Sequence, residues 1–414
     1  MLRIRLGVLI GFVATASGVA SAQGLGMQLI PETYAQRAGL TSAWFSRVQV
    51  DPRRGRVNGI VLQGNALFVS TDQGIVQSFD SESGRVLWTT QVGRPSYPTM
   101  TPAANDALVA VTNGSEIYVL DRRTGEFVWQ EKLKGVPSAG AAASKDRAYI
   151  PMIDGSISSY KFVRTNYVDE HALIHFGKGL VTQPPIPYEK RLMWGTDAGY
   201  AFSENLQFTH QRFRLKTGAP IVAPLMHRAP ALYVASKDGK LSAINDVSGF
   251  LFWEFQAGGP IVEQPVAVED AVYVATDAGG MFRLDPKSGR EVWWTPGIKK
   301  FVAASKVRIY AADYLGRLAV LDAATGAQLA VLPTESMDLK YCNTQTDRII
   351  LGTTTGLLQC LHERELTAPI SHIPPPETKD AKSAKPATPA PAEATEAPAT
   401  TPAPGNPFGQ PAQP

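Results

Sequence analysis

The residues that could do chemistry in this chain are few and scattered. The most suggestive group is Asp169-Glu170-His171-Ala172-Leu173-Ile174-His175. Histidine and carboxylate ligands at short spacing are what zinc or another transition metal requires. On a helix, His171 and His175 would stand one turn apart and could share an ion. On a strand they share a face but lie about 13 Å apart, too far for one ion. The surrounding repeat reads as strand, so no metal is expected. No Gly-rich loop leads from a strand into a helix to cradle a phosphate. No Ser or Cys sits in a nucleophile elbow. Lys190-Arg191 and Lys299-Lys300-Phe301 are short, lie near expected turns and read as solvated loops. No catalytic, cofactor-binding or metal-ligating residue is assigned.

The two cysteines, Cys342 and Cys360, could form a disulfide if the chain is exported. They fall on the first and third expected strands of one repeat. Strands one apart in a sheet are separated by about 9–10 Å, beyond disulfide reach, so two buried free thiols are the favoured reading.

Export itself is legible. Arg3 and Arg5 precede an apolar run from Leu6 to Ala16, and Ala20-Ser21-Ala22 is a small-residue cleavage site. Residues 1–22 therefore read as a signal peptide, and the mature chain as periplasmic. No Cys follows the apolar run, so no lipid anchor is expected, nor any transmembrane segment after cleavage. The formal charge of +3 becomes +1 without the two leader arginines, at 38 basic against 37 acidic residues. That balance and the lack of a Lys/Arg run argue against nucleic-acid or anionic-lipid partners.

The elements that would position any site come from a repeat. Ala66-Leu-Phe-Val-Ser-Thr-Asp-Gln-Gly74, Ala231-Leu-Tyr-Val-Ala-Ser-Lys-Asp-Gly239 and Ala271-Val-Tyr-Val-Ala-Thr-Asp-Ala-Gly279 are its clearest copies. Weaker copies end at Gly114, Gly155, Gly199, Gly316 and Gly356, giving successive spacings of 40, 41, 44, 40, 40, 37 and 40 residues. A second turn follows in five copies: Asp80-Ser-Glu-Ser-Gly84, Asp121-Arg-Arg-Thr-Gly125, Asn245-Asp-Val-Ser-Gly249, Asp285-Pro-Lys-Ser-Gly289 and Asp322-Ala-Ala-Thr-Gly326. Asp or Asn at the turn entry can accept backbone N–H bonds from two and three residues on, and Gly supplies the positive φ that closes the turn.

Four residues after the turn Gly stand Trp88, Trp129, Trp253 and Trp293, with Ala330 in the fifth copy. A ring at a fixed place in each unit suits packing between adjacent sheets. Leu180-Val-Thr-Gln-Pro184, Ile221-Val-Ala-Pro224 and Ile261-Val-Glu-Gln-Pro265 open their units as a further short element. Four strands per copy, about 40 residues per copy and no helical period predict an all-β, eight-bladed β-propeller of four-stranded antiparallel blades, with seven blades as the alternative count.

Propellers avoid bare edges by closing the ring. Ala43-Trp44-Phe45-Ser46-Arg47-Val48 reads as a strand that completes the last copy, which lacks an outer strand after Leu361. The expected organisation is residues 23–44 as an N-terminal segment with the start of the closing strand, 45–365 as the propeller and 366–414 as a disordered tail. From Pro374 onward, 12 of 41 residues are Pro and 10 are Ala. Such a stretch cannot bury a core. It could serve as a solubiliser, or as a tether with Asn406-Pro407-Phe408-Gly409 as a docking motif.

The motif strand–Asp-x-Gly–strand–Asp-x-x-[Ser/Thr]-Gly-x-x-x-Trp resembles the quinoprotein-type, or PQQ-like, propeller repeat over about residues 45–365. The resemblance implies one of two branches. One is the quinoprotein dehydrogenases, which hold pyrroloquinoline quinone and calcium. The other is the outer-membrane assembly factors of the BamB type, non-enzymatic periplasmic scaffolds. Two adjacent cysteines, a feature of many of the dehydrogenases, are absent, and the 37–44-residue spacings leave no room for long inter-blade insertions. Asp197 and Asp277 could ligate calcium but stand in the repeated turn, which explains them better. No cofactor is therefore expected. The resemblance implies a non-enzymatic envelope scaffold, a monomer within a complex, binding other envelope or outer-membrane proteins. Alternatives are a quinoprotein oxidoreductase and a glycan-binding envelope propeller.

Overall fold

The computed structural model describes residues 29–51, 53–163, 173–207, 212–277 and 279–373. Its strands form eight four-stranded antiparallel sheets. These are the blades of an eight-bladed propeller, numbered 1 to 8 along the chain: residues 57–91, 103–132, 142–176, 186–216, 226–256, 266–295, 298–332, and 339–363 with 40–47. The expected eight-blade count holds. One short helix, Glu32–Arg37, precedes the blades.

Within each blade the second and third strands carry the core. Ala66–Thr71 is buried at every position, and Ala271–Thr276 likewise. Continuous burial follows from sheets stacked on both faces, which explains why these strands read as apolar runs rather than alternating ones. The first strand differs from expectation. Ile221-Val-Ala-Pro224 and Ile261-Val-Glu-Gln-Pro265 are irregular, and the inner strands are the three-residue Met226–Arg228 and Val266–Val268 that follow. Proline has no N–H to give a ladder, so pairing starts beyond it. The irregular stretches still anchor the ring: Gln183 Nε2 donates to Val222 O (3.1 Å), and Gln264 Nε2 to Leu225 O (2.9 Å).

The second turn is built by its side chains. Asp121 Oδ1 accepts the Arg123 and Thr124 N–H groups at 2.9 Å each. Asn245 Oδ1 does the same for Val247 (3.1 Å) and Ser248 (2.7 Å). The turn then delivers its Gly to the neighbouring blade. Trp88 Nε1 donates to Arg122 O at 2.8 Å, Trp253 Nε1 to Pro286 O at 2.9 Å, and Trp293 Nε1 to Ala323 O at 3.0 Å. Each indole thus reaches the residue after the turn's Asp in the next blade. Gly125 and Gly289 lie flat on those rings at positive φ of 73° and 68°, where an added Cβ would stand 2.5 Å and 2.4 Å from ring carbon. Glycine is required at these two places by conformation and by space.

A β-bulge accompanies this arrangement. The residue before each ring position is skipped in the ladder at Leu87, Val128, Phe252, Val292 and Leu329. A bulge increases local twist and re-aims the next side chain, here towards the neighbouring blade.

Blade 8 takes its outer strand from the N-terminus. Leu40–Arg47 pairs antiparallel with Leu357–Glu363, beginning three residues before the Ala43 expected. Ala43 is skipped, and Trp44 Nε1 donates to Ser81 O of blade 1 (2.9 Å). Ile30 N–H donates to Gln359 Oε1 (2.9 Å) and Ile30 O accepts from Gln359 Nε2 (3.2 Å), tying the leading segment to the same strand. At the other end, residues 366–373, which lie beyond the repeat and are grouped with the tail by sequence, are held on blade 8. Arg348 Nη1 and Nη2 donate to Leu366 O (3.1 Å) and Thr367 O (2.8 Å), and Ile370 N–H donates to Asp347 Oδ1 (2.8 Å). The repeat ends before this segment because Leu366 and Ile370 supply a backbone acceptor and donor rather than a repeat motif, while composition changes only at Pro374.

Trp253→Phe should cost about 1 kcal/mol by removing one hydrogen bond, and Trp253→Ala about 3–5 kcal/mol by also opening a cavity. Gly289→Ala should cost more than about 1 kcal/mol through strained φ alone. Urea unfolding read by fluorescence checks all three, and equal midpoints for Trp253→Phe and Trp253→Ala would refute the packing role. A chain lacking residues 29–50 should unfold at a much lower temperature; an unchanged Tm would rule out that strand as the ring's closure.

Acid should loosen the same turns. Hydrogen bonds to Thr124 hold Asp121 below its ordinary value of 3.8, and those to Ser288 and Thr325 do so for Asp285 and Asp322. A lowered folded value means stability present above 3.8 and lost as pH falls through the folded value. Tm should therefore drop below about pH 4. Asp285→Asn with Asp322→Asn, copying Asn245, should flatten that drop; the same slope in both proteins would exclude the turns as its source.

Candidate functional site

The ring lock is not uniform, and its exceptions mark the candidate site. Blade 3 lacks the Asp-to-Gly turn motif in its sequence, and Leu173 occupies the ring position. Other groups fill the junction of blades 3 and 4. Trp194 stacks on Phe202 with centroids 5.1 Å apart, and the Arg212 guanidinium lies 4.3 Å from the Phe202 centroid. His175, buried on blade 3, has its Nδ1 2.9 Å from Glu204 Oε1 on blade 4. A carboxylate only accepts, so Nδ1–H is the donor. Arg212 Nη1 stands 3.7 Å from the other Glu204 oxygen. His175 Nε2 and Trp194 Nε1 are buried without a hydrogen-bond partner among the described residues.

A cavity of about 210 Å³ opens beside this cluster, lined by Tyr149, Ser159, His175, Arg147 and Lys190 among others. Its Ser159 hydroxyl donates to Leu173 O (3.3 Å) and accepts from Arg147 Nη1 (3.3 Å). That hydroxyl is a structural link and not poised for attack. A larger open groove of about 680 Å³ follows the closure, between Arg47–Asp51 and the blade 1 residues Gln73, Gln77 and Thr89.

The residues weighed from sequence fall as follows. Asp197 Oδ1 accepts the Leu180 N–H (2.7 Å) and Asp197 N–H donates to Leu180 O (3.0 Å), a turn role. Asp277 N–H donates to Pro260 O (2.9 Å) in the same way. His171 lies outside the described residues, and His175 is on a strand, Leu173–Phe176. Among the described residues no three metal-ligating side chains converge.

Two readings need correction. Lys299-Lys300-Phe301 is not a loop but part of the strand Ile298–Ala304, with Phe301 buried against Tyr273 at 5.5 Å. Its two bulges let consecutive charged residues occupy a strand, which hid the period. Arg191 is likewise buried, donating from Nε to Ser203 Oγ (2.8 Å). Cys342 lies just beyond the strand Leu339–Lys340, Cys360 is on Leu357–Glu363, and both are free. Burial pushes the Cys342 thiol up to about 12 and raises Cys360 as well, so both are poor nucleophiles at neutral pH. Sequence reading missed Trp44 as a ring-lock residue. Its signal was present: Trp44 precedes Asp80–Gly84 much as Trp88 precedes Asp121–Gly125.

Among the described residues no helix is long and apolar enough to cross a membrane. Eight four-stranded blades, four of whose junctions are closed by an indole on a turn, define a PQQ-like propeller. The family model described as outer membrane protein assembly factor BamB matches residues 40–168 and 197–350, and the chain belongs to that family. BamB of Yersinia pestis is 22% identical over 290 residues, covering 64% of each chain. BamB of Shewanella oneidensis is 27% identical over 92 residues, 22% of this chain and 23% of the relative. The chain thus matches less than two thirds of the length of these curated relatives.

In structure, the chain is similar to BamB from Moraxella catarrhalis, with a TM-score of 0.63 at 16% identity over 78% of this chain and 98% of the other. It is also similar to the computationally designed Ika8 protein, with a TM-score of 0.59 at 14% identity over 76% and 98%. A designed protein as a neighbour makes plain that such likeness describes the fold alone.

If the His175–Glu204 contact is structural, His175→Ala should lower Tm by leaving the Glu204 carboxylate buried beside only Arg212, at a cost of about 1–3 kcal/mol. An unchanged Tm would mean the pair does not hold blades 3 and 4 together.

Proposed function

We propose that this protein is a non-enzymatic scaffold of the bacterial envelope that binds other proteins, in the manner of an outer-membrane assembly factor. The observation that carries the reading is the family match, which spans both halves of a complete eight-bladed ring. The physical case agrees with it. The repeated Asp, Gly and Trp residues are consumed by turns and inter-blade locks. What varies between copies is surface, and a rigid ring presents loops and edges in fixed geometry, as binding surfaces require. The leader at residues 1–22 supports a periplasmic site. The expected state is a monomer seated within a larger complex.

Crosslinking in intact cells followed by mass spectrometry tests this reading. Recovery of outer-membrane assembly proteins is the expected result. Recovery of glycans alone would overturn it. A separate titration of purified protein with pyrroloquinoline quinone and calcium should give no saturable binding and no dye-linked alcohol or sugar oxidation; tight binding with turnover would replace the scaffold by an oxidoreductase.

A further inference from the structure

We propose that residues 366–373 are a strap fastened across blades 6, 7 and 8 by a protonated His372, a latch that is closed in acid and opens as pH rises. The latch is independent of what the propeller binds.

The strap lies where the ring is short of a lock. Ala330 stands at the ring position of blade 7, so no indole reaches from there to blade 8. Blade 7 meets blade 8 instead through the Tyr310 hydroxyl, which donates to Glu363 Oε1 (2.9 Å), and through Asn343 N–H, which donates to Val302 O (2.7 Å). The strap adds a tie that spans three blades. Its backbone is held on blade 8, where His372 N–H donates to Gln345 O (2.8 Å) and Ser371 pairs with Thr346. Its imidazole runs on to the other two. Nε2 stands 3.0 Å from the carbonyl of Ala304, the last residue of the blade 7 inner strand. Nδ1 stands 2.9 Å from Oε1 of Glu269, between the first two strands of blade 6.

Those two partners fix the charge of the ring. A carbonyl oxygen only accepts, so Nε2 carries a hydrogen. Glu269 reaches solvent, its side chain 40% exposed, and an ionised carboxylate also only accepts, so Nδ1 carries one as well. Both nitrogens bear hydrogen only in the imidazolium. The His372 side chain is fully buried. When one hydrogen leaves, a nitrogen lone pair faces the carboxylate or the carbonyl there, and one tie becomes a repulsion. Stability from the latch is therefore present while the ring is charged and lost as pH rises.

The charged residues of the three turns under the strap are Glu269 and Asp270, Lys306 and Arg308, and Asp347 and Arg348. Asp270 is engaged with Arg283 (3.4 Å), Arg308 Nη1 with Ala38 O (3.4 Å) and Arg348 with Glu82 (2.9 Å), while Lys306 is exposed. Burial pushes the Asp347 carboxyl up, against the pull of Ile370 N–H, Arg348 and His372. The imidazolium thus answers to two carboxylates, Glu269 directly and Asp347 through the field. Opening takes the strap off blades 6 and 7 and leaves it on blade 8 alone.

The test places a nitroxide on Ser371→Cys in the full chain and follows its mobility by electron paramagnetic resonance. The unsubstituted protein, with Cys342 and Cys360, supplies the labelling background. The mobile fraction should rise at least about twofold between about pH 5.5 and about pH 8.5, which bracket the value of about 6.5 for an unperturbed histidine. His372→Gln has no charge to lose and should hold one mobility across that range. Glu269→Gln should also flatten the profile, because its amide can donate to a neutral Nδ1 or accept from a charged one. Asp347→Asn should still show the transition, since its amide oxygen can accept Ile370 N–H as the carboxylate does. A parent signal that does not move with pH, a parent-like profile in His372→Gln or Glu269→Gln, or a flat profile in Asp347→Asn would each overturn the latch.

Discussion

The ring depends on one contact made at four of its eight junctions: an indole N–H of one blade reaching the carbonyl after the Asp of the next blade's turn. The contact has three parts that only work together. The Asp or Asn side chain shapes the turn, the Gly lets it lie flat, and the bulge aims the ring. None of these is strong alone, since a single hydrogen bond contributes only about 1 kcal/mol. Repeated at four junctions, they fix blades 1 and 6 from both sides. The closing strand obeys the same rule, because Trp44 reaches Ser81 as Trp88 reaches Arg122.

That economy explains why the eye-catching residues of the sequence say so little about function. Asp121, Gly125 and Trp88 answer to one another. The informative places are where the pattern lapses. At blades 3 and 4 the sequence lacks the turn motif and the indole, and His175, Glu204, Arg212 and a Trp194–Phe202 stack join the sheets. A buried ion cluster is a costlier way to join two sheets than an indole.

Much of the fold was legible from spacing alone, because a repeat multiplies weak signals. Gly74 to Gly356 gave the blade count, and five Asp/Asn-to-Gly turns gave the hairpins. The failures have local physical causes. The inner strands shifted because Pro224 and Pro265 cannot pair. Lys299-Lys300 looked like a loop because bulges break the two-residue period. The junction of blades 3 and 4 could not be seen, since its groups are far apart in sequence: Lys178 and Arg214 are 36 positions apart and meet only over Tyr200.

The closing strand also sets a timetable. Ser42 and Gln359 touch across 317 positions of chain. The strand Leu40–Arg47 is therefore made early and finds its sheet last, and until residues 357–363 exist Leu40 has no strand to pair with. Blades 1 to 7 can assemble with their neighbours as they emerge, but the ring has no closed state until the chain is nearly complete. Contacts of such long separation form slowly. A protein built this way passes through an open arc, with a free strand at one end and an unfilled edge at the other, and two such arcs could exchange ends before either closes on itself.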